Sequence, residues 1–125
     1  MKLNNIETLY SSLAQLKSKE MPLRLSYKFT KLLSKIEKDY EFFTSKTREV
    51  IIKYAEKDDN GEIIQYESNI RVAPENIPLA EKELSELNDI EVEDINISFT
   101  LDELESLSIA PEILQPLLPF IKETD

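Results

Sequence analysis

The chain has 125 residues, a formal net charge of −10 and 41% hydrophobic residues, which suits one domain with a modest core. It contains no cysteine and no histidine, which excludes disulfides, thiolate nucleophiles, Cys/His zinc sites and histidine acid–base catalysis. Its one glycine is too few for a phosphate-binding loop, and its apolar runs are too short to span a bilayer. We therefore expect a single soluble domain, residues 1–125, that is not an enzyme and carries no cofactor.

Charge is divided unevenly along the chain. Residues 1–57 hold 12 Lys/Arg and 7 Asp/Glu, whereas residues 58–125 hold 3 Lys/Arg and 18 Asp/Glu. An acidic surface repels phosphates, so we do not expect the second part to bind nucleic acid directly. Three interpretations of this polarity stay open: a solvated acidic surface, charge-steered association with a partner or a second copy, and mimicry of nucleic acid to occupy a basic groove.

Two helices are predicted in the basic part. Apolar residues recur at steps of three and four over residues 3–19. From Leu25 to Tyr54 they recur about every 3.6 residues, and no Gly or Pro interrupts residues 23–56. This pattern predicts one continuous helix of roughly 50 Å, whereas a compact chain of this length has a radius of gyration of about 14 Å. The helix must therefore bend, project, or pack along a second copy.

Part of the long helix has no covering element in the predicted hairpin. The first helix is about half as long as the second, and the uncovered remainder carries Phe42, Phe43, Val50 and Ile51. Apolar side chains of this size need a sheet or another molecule to shield them from water. These four residues are therefore predicted partner-binding positions.

The acidic part contains short extended runs. Residues 62–66 and 70–72 predict a hairpin. Alternating apolar residues over 90–99 predict a third strand, with a bulge or corner at Glu93-Asp94 where the alternation slips. These runs predict a small antiparallel sheet of about three strands.

Short helices complete the predicted fold. Pro78 and Pro111 are residues typical of a helix start, and Thr100 with Glu103 matches a capping box. The sequence therefore predicts an α+β fold, in which an N-terminal helical hairpin with one long helix packs on the small antiparallel sheet, followed by short C-terminal helices.

The loop after the long helix partly follows a calcium-binding pattern. Within residues 56–67, the candidate ligand positions are Asp58, Asn60, Glu62 and Glu67. The first position is Glu56 where the pattern requires Asp, and a strand follows where the exit helix belongs. A helix cap followed by a hairpin is therefore favoured over metal ligation.

The run 115–120 has the composition of a docking peptide. Gln115, Leu118 and Phe120 resemble the short Gln/Leu/Pro peptides by which bacterial proteins bind the DNA polymerase sliding clamp, although Pro116 stands where a Leu is usual. The same apolar side chains can instead close the protein's own core. These three residues are predicted partner-binding positions alongside that alternative.

The basic face of the long helix offers one more candidate. Tyr27, Lys28 and Lys31 lie close enough on the helix to contact phosphates together. A solvated helical face explains them equally well and is favoured.

The order of segments resembles a family of small phage and prophage proteins known as a domain of unknown function. The matching features are Met21-Pro22-Leu23, the runs 53–61, 82–88 and 92–97, and the end rich in Leu, Pro and Phe. The resemblance implies a phage or prophage gene and supplies no activity and no catalytic residue.

We therefore expect a phage-encoded, non-enzymatic protein that acts by binding a host or phage protein, by self-association, or both. Its expected role is accessory or host-modulating, in the cytoplasm of the bacterial host. Two alternatives stay open: a structural or assembly component of the virion, such as a head–tail or tail accessory subunit, and an inhibitor that mimics nucleic acid.

Overall fold

The computed structural model describes residues 1–122 of the chain. Helix α1 spans Leu3–Leu16 and helix α2 spans Leu23–Lys53. Helix α2 is 31 residues long without a break, which corresponds to roughly 46 Å. The prediction of one continuous long helix is confirmed. Pro22 precedes it in an extended conformation, which suits a residue that has no N–H to donate.

Helices α1 and α2 pack as a hairpin. The rings of Tyr10 and Tyr40 stack with centroids 3.8 Å apart and planes 7° from parallel. The buried apolar residues at the hairpin are Leu3, Ile6, Leu9, Leu13 and Leu16 from α1, and Leu25, Phe29, Leu32, Ile36 and Phe43 from α2. Each such side chain contributes about 1.5–3 kcal/mol when it leaves water. Full burial in α2 stops at Phe43, so α1 covers only the first part of the long helix.

The last turns of α2 are covered by other elements. Lys53 donates a hydrogen bond to Glu83 across 2.9 Å, which joins α2 to helix α3, Ile77–Asn88. The backbone N–H of Ala73 donates to the carbonyl oxygen of Tyr54 at 2.8 Å, and that of Glu56 to Arg71 at 2.9 Å. The chain that follows α2 therefore folds back along its end and shields it.

The strands form two small pairs. Strands β1, Gln65–Tyr66, and β2, Asn69–Ile70, are antiparallel, and the turn between them places Glu67 at φ 54°. Strands β3, Phe99–Thr100, and β4, Ile121–Lys122, are parallel. The fold is therefore mixed helix and strand, but the prediction of a three-stranded antiparallel sheet is wrong.

The alternating run 90–99 explains that error. Leu3 donates its N–H to the carbonyl of Ile90 at 2.8 Å, and Val92 donates to the carbonyl of Met1 at 2.8 Å. After this short bridge, residues 93–98 are not part of any strand. Alternation of apolar and polar residues indicates which side chains of a strand would share a face. It does not show that a second strand is available to pair with it.

Short helices follow β3 and close the fold. Helix α4, Leu101–Leu104, begins at Thr100, and the predicted capping box with Glu103 is confirmed in both directions. Helix α5, Pro111–Leu114, runs into a 3₁₀ segment, Gln115–Phe120, because Pro116 and Pro119 cannot donate the hydrogen bonds of a longer α-helix.

One apolar core joins these elements. The hairpin residues pack with Leu87 from α3 and with Phe99, Leu104, Leu117 and Phe120 from the C-terminal part. Among residues 1–122, no helix combines the length and the hydropathy that a membrane crossing requires.

Candidate functional site

The predicted calcium ligands do not converge. The Oδ1 atom of Asp58 accepts hydrogen bonds from the backbone N–H groups of Asn60, at 2.9 Å, and Glu62, at 3.0 Å. Asp58 therefore closes the turn itself, as an Asx-type turn does. Glu67 lies in the turn between β1 and β2. Across residues 1–122, no group of three or more His, Cys, Asp or Glu side chains is placed to hold a metal ion.

The four predicted partner-binding residues of α2 do not share a surface. Phe43 is 6% exposed and belongs to the core, so its own chain covers it and it is not the partner-binding position that was predicted. Phe42 is 45% exposed and borders an acidic cleft of about 370 Å³ with Asp39 and Glu91. Val50 and Ile51 are half-buried, and Ile51 lines a different cleft, of about 430 Å³, beside β2. The helix is shielded over more of its length than the sequence indicated.

The predicted docking peptide at 115–120 is folded into the protein. Phe120 is 6% exposed and packs in the core, whereas Leu118 is 54% exposed. Gln115 is exposed beside a cleft of about 650 Å³ that Met1 and Pro119 also line. Since Phe120 is buried and Leu118 exposed, the two cannot anchor one extended peptide in a partner's groove. For Phe120, the alternative that it closes the protein's own core is therefore confirmed, and its assignment as a partner-binding residue is wrong.

A groove that the sequence did not predict lies at the start of α2. Its volume is about 700 Å³. One wall is a face of α2 made by Leu23, Arg24, Tyr27, Lys28 and Lys31. The other wall is made by Asn96, Ile97 and Ser98, which belong to no helix or strand. We call this site the α2 groove. Leu23 is 85% exposed and Tyr27 is 65% exposed, so two large apolar side chains of the groove face solvent.

The walls of the α2 groove are held together by Lys28. Its Nζ atom donates to the carbonyl oxygen of Ser98 at 2.9 Å and to the Glu103 carboxylate, whose two oxygens lie at 2.8 and 2.9 Å. In the core, the rings of Phe29 and Phe99, which follow Lys28 and Ser98 in the chain, stack with centroids 4.7 Å apart. Core packing and one ion pair therefore join the two walls of the groove.

The Glu103 carboxylate accepts hydrogen bonds from two residues, Lys28 and Thr100. The Lys28 ammonium lowers the pKa of Glu103 below its ordinary value of 4.5, partial burial opposes this, and the backbone N–H of Thr100 lowers it further. Glu103 is therefore an anion at neutral pH, fixed by the capping box and by Lys28. These bonds hold the carboxylate in place as the cap of α4 and as the partner of Lys28.

The two other cations of the groove are free of ion pairs. Among residues 1–122, neither Arg24 nor Lys31 has a carboxylate within ion-pair distance. Both are exposed, and the Lys31 Nζ atom lies 5.9 Å from the centre of the Tyr27 ring. The groove thus combines apolar side chains with two uncommitted positive charges, in a chain whose net charge is −10.

The remaining titratable clusters are structural. The Tyr66 hydroxyl donates to the Glu56 carboxylate, and this bond raises the pKa of Tyr66 above its ordinary value of 10.0. The Arg71 guanidinium lies 4.1 Å from the centre of the same ring. A tyrosine with a raised pKa stays protonated at neutral pH, so it donates a hydrogen bond and does not act as a base. This cluster fastens the β1–β2 hairpin to the end of α2.

Comparison with protein-family models, with curated proteins and with solved structures finds no match for this chain. Its function therefore has to be argued from its own residues. Sequence reasoning placed Tyr27, Lys28 and Lys31 on one helical face but missed Leu23 and the opposite wall. The available signal was that Leu23 and Tyr27 are four residues apart and fall outside the core stripe of Leu25, Phe29 and Leu32.

Proposed function

We propose that this chain is a non-enzymatic protein that acts by binding another protein at the α2 groove. The observation that carries the proposal is the groove itself: a cleft of about 700 Å³ that exposes Leu23 and Tyr27 beside two cations that have no ion pair within residues 1–122. Large apolar side chains left in water next to charged ones are typical of protein-interaction sites.

A protein suits this groove better than a nucleic acid does. Phosphate binding gains its affinity from several cations that release counterions together, whereas Arg24 and Lys31 are the two that the groove leaves unpaired among residues 1–122. Lys28 is occupied by Glu103 and Ser98. The net charge of −10 also opposes the approach of a polyanion. Leu23 and Tyr27 offer instead the apolar contact on which hot spots between proteins depend.

The role that follows is accessory or host-modulating. The resemblance of the segment order to small phage and prophage proteins supports placing this binding activity in the cytoplasm of a bacterial host. A partner there supplies an apolar segment to the groove, and the complex forms without covalent chemistry.

Affinity capture with matched variants tests the proposal. The full chain, the double variant Leu23→Ser with Tyr27→Ser, and a control variant Leu79→Ser are each used as bait in bacterial lysate. Leu79 is 52% exposed on α3 and lies outside the groove. We expect one set of proteins to be retained by the wild type and the control, and lost from the groove variant. Equal capture by all three baits overturns the proposal.

A further inference from the structure

The acidic cleft beside Phe42 combines exposed apolar side chains with charge, as the α2 groove does. Phe42 and Ile90 line the cleft and are 45% and 43% exposed. Three carboxylates line it as well, those of Asp39, Glu91 and Glu93, and no cation does among residues 1–122. Large apolar side chains left in water beside charges of one sign are typical of an interaction surface.

The uncommitted charges of the two sites are equal in number and opposite in sign. Among residues 1–122, Asp39 and Glu93 have no cation within ion-pair distance, whereas the third carboxylate of the cleft lies 3.4 Å from the N-terminal ammonium. The α2 groove offers Arg24 and Lys31, and no carboxylate within residues 1–122 lines it. The groove and the cleft are therefore complementary in charge, and each exposes apolar surface to the other's kind.

One copy of the chain cannot bring these two sites together. Tyr27 in the groove and Phe42 at the cleft are 15 residues apart on α2, which separates them by about 22 Å along the helix axis. The helix is unbroken from Leu23 to Lys53, so this separation is fixed. The complementarity is therefore available only between molecules, and every second copy of the chain presents both surfaces.

The net charge of the chain does not exclude such a contact. Each copy carries −10, but salt screens the repulsion between exposed charges beyond about 8 Å at physiological ionic strength. Ion pairs that form inside a contact are screened much less. The local pairing of opposite charges therefore outweighs the repulsion between the two chains as wholes.

We propose that the α2 groove of one copy takes the acidic cleft of a second copy. The exposed apolar side chains of the two sites then cover each other, and the two free carboxylates of the cleft face Arg24 and Lys31. This inference deepens the proposed function and rests on it for its consequence. A partner protein enters the groove by displacing the second copy, so self-association regulates partner binding.

Reversal of the paired charges tests the contact by sedimentation velocity over a range of concentrations. One double variant, Arg24→Glu with Lys31→Glu, reverses the groove, and another, Asp39→Lys with Glu93→Lys, reverses the cleft. We expect the wild type to self-associate and each double variant to lose at least about tenfold in affinity for its own copies. A one-to-one mixture of the two double variants should associate again, because one supplies an intact groove and the other an intact cleft.

Two comparisons remove the effect of net charge. The control Lys17→Glu with Lys19→Glu changes two exposed lysines that line neither site, and it lowers the net charge as much as reversal of the groove does. We expect this control to associate as the wild type does. Reversal of the cleft makes the chain less negative, so an effect of net charge alone would strengthen association, whereas the proposed contact requires it to weaken. Circular dichroism checks that each variant is folded.

The outcomes separate this inference from the proposed function. A wild type that sediments as a monomer at every concentration, an association that either reversal leaves unchanged, or a mixture that does not associate overturns the contact between copies. Each of these results does so even where lysate capture still depends on Leu23 and Tyr27. Association restored in the mixture, together with equal lysate capture by the wild type and the Leu23→Ser with Tyr27→Ser variant, supports the contact between copies and removes the binding of a partner protein.

Discussion

The first turns of α2 have two apolar faces, of which one is buried and the other is exposed. Leu25, Phe29 and Leu32 point into the core and are at most 8% exposed, whereas Leu23 and Tyr27, on the same turns, are 85% and 65% exposed. The first face is covered by α1 and by Phe99, and the second borders a groove whose far wall is residues 96–98, which belong to no helix or strand. What the rest of the chain places opposite each face therefore decides whether its apolar residues enter the core or stay in contact with solvent, where we propose that they bind a partner.

Truncating the covered face should have the largest effect on stability. Leu32 is 0% exposed, so Leu32→Ala removes core contacts and leaves a cavity that the neighbouring side chains fill only in part. We expect the free energy of unfolding to fall by about 2–5 kcal/mol, measured from urea titrations followed by circular dichroism. Leu23→Ala is the matched control and should change it little. Equal losses from both substitutions would show that the two faces are not different.

Breaking the ion pair between Lys28 and Glu103 should have the second-largest effect on stability. Glu103→Gln keeps the shape and part of the capping box but leaves Lys28 without its carboxylate. Because both side chains are about a third exposed, we expect a loss of about 1 kcal/mol in unfolding free energy. Asp102→Asn, an exposed neighbour without an ion pair among residues 1–122, is the control. A loss no larger than that of the control would contradict the role assigned to Glu103.

The contribution of the Glu103 carboxylate to the free energy of unfolding should depend on pH. Lys28 and Thr100 lower the pKa of Glu103 in the folded chain below 4.5, so its stabilising effect is present above that pH and is lost as the pH falls through the folded-state pKa. The difference in stability between wild type and Glu103→Gln should therefore shrink between about pH 7 and about pH 3. Denaturant titrations at the two pH values measure it. If the difference instead grows as the pH falls, the pKa of Glu103 is raised in the folded chain and the prediction is wrong.

The exposed face should matter least for stability. Leu23→Ser and Tyr27→Ser change side chains that are mostly in water, so we expect each to alter the unfolding free energy by no more than about 0.5 kcal/mol. Thermal melts of the purified variants measure this. Losses comparable to that of Leu32→Ala would mean that the two side chains stabilise the fold, and partner capture by these variants would then report on unfolding.

The helices were predictable because their determinants are local. The stripe from Leu25 to Tyr54 fixed α2, and the pairing of Thr100 with Glu103 fixed the start of α4. The β1–β2 hairpin was predicted as well, because its turn is local. Strands β3 and β4 were not, since they join residues 99–100 to 121–122 in a parallel pair that no nearby pattern specifies. The alternation over 90–99 predicted a strand, but the partner along most of it is missing from the described chain.

The candidate site was only partly visible in the sequence. Tyr27, Lys28 and Lys31 form one helical face by spacing alone, whereas their relation to Asn96 and Ile97 depends on tertiary packing. Phe43 and Phe120 were assigned to binding because hydrophobicity does not tell a core residue from a surface anchor. That distinction required knowledge of what lies opposite each side chain.

The parallel pairing of β3 with β4 has a consequence for the order of events during biosynthesis. Phe99 is held in register by Ile121, so the far wall of the groove depends on residues translated more than twenty positions after it. A nascent chain that has displayed α2 but not yet released Ile121 from the ribosome cannot present a finished groove. If the groove binds a partner as we propose, translation products that end before Ile121 are expected not to bind it.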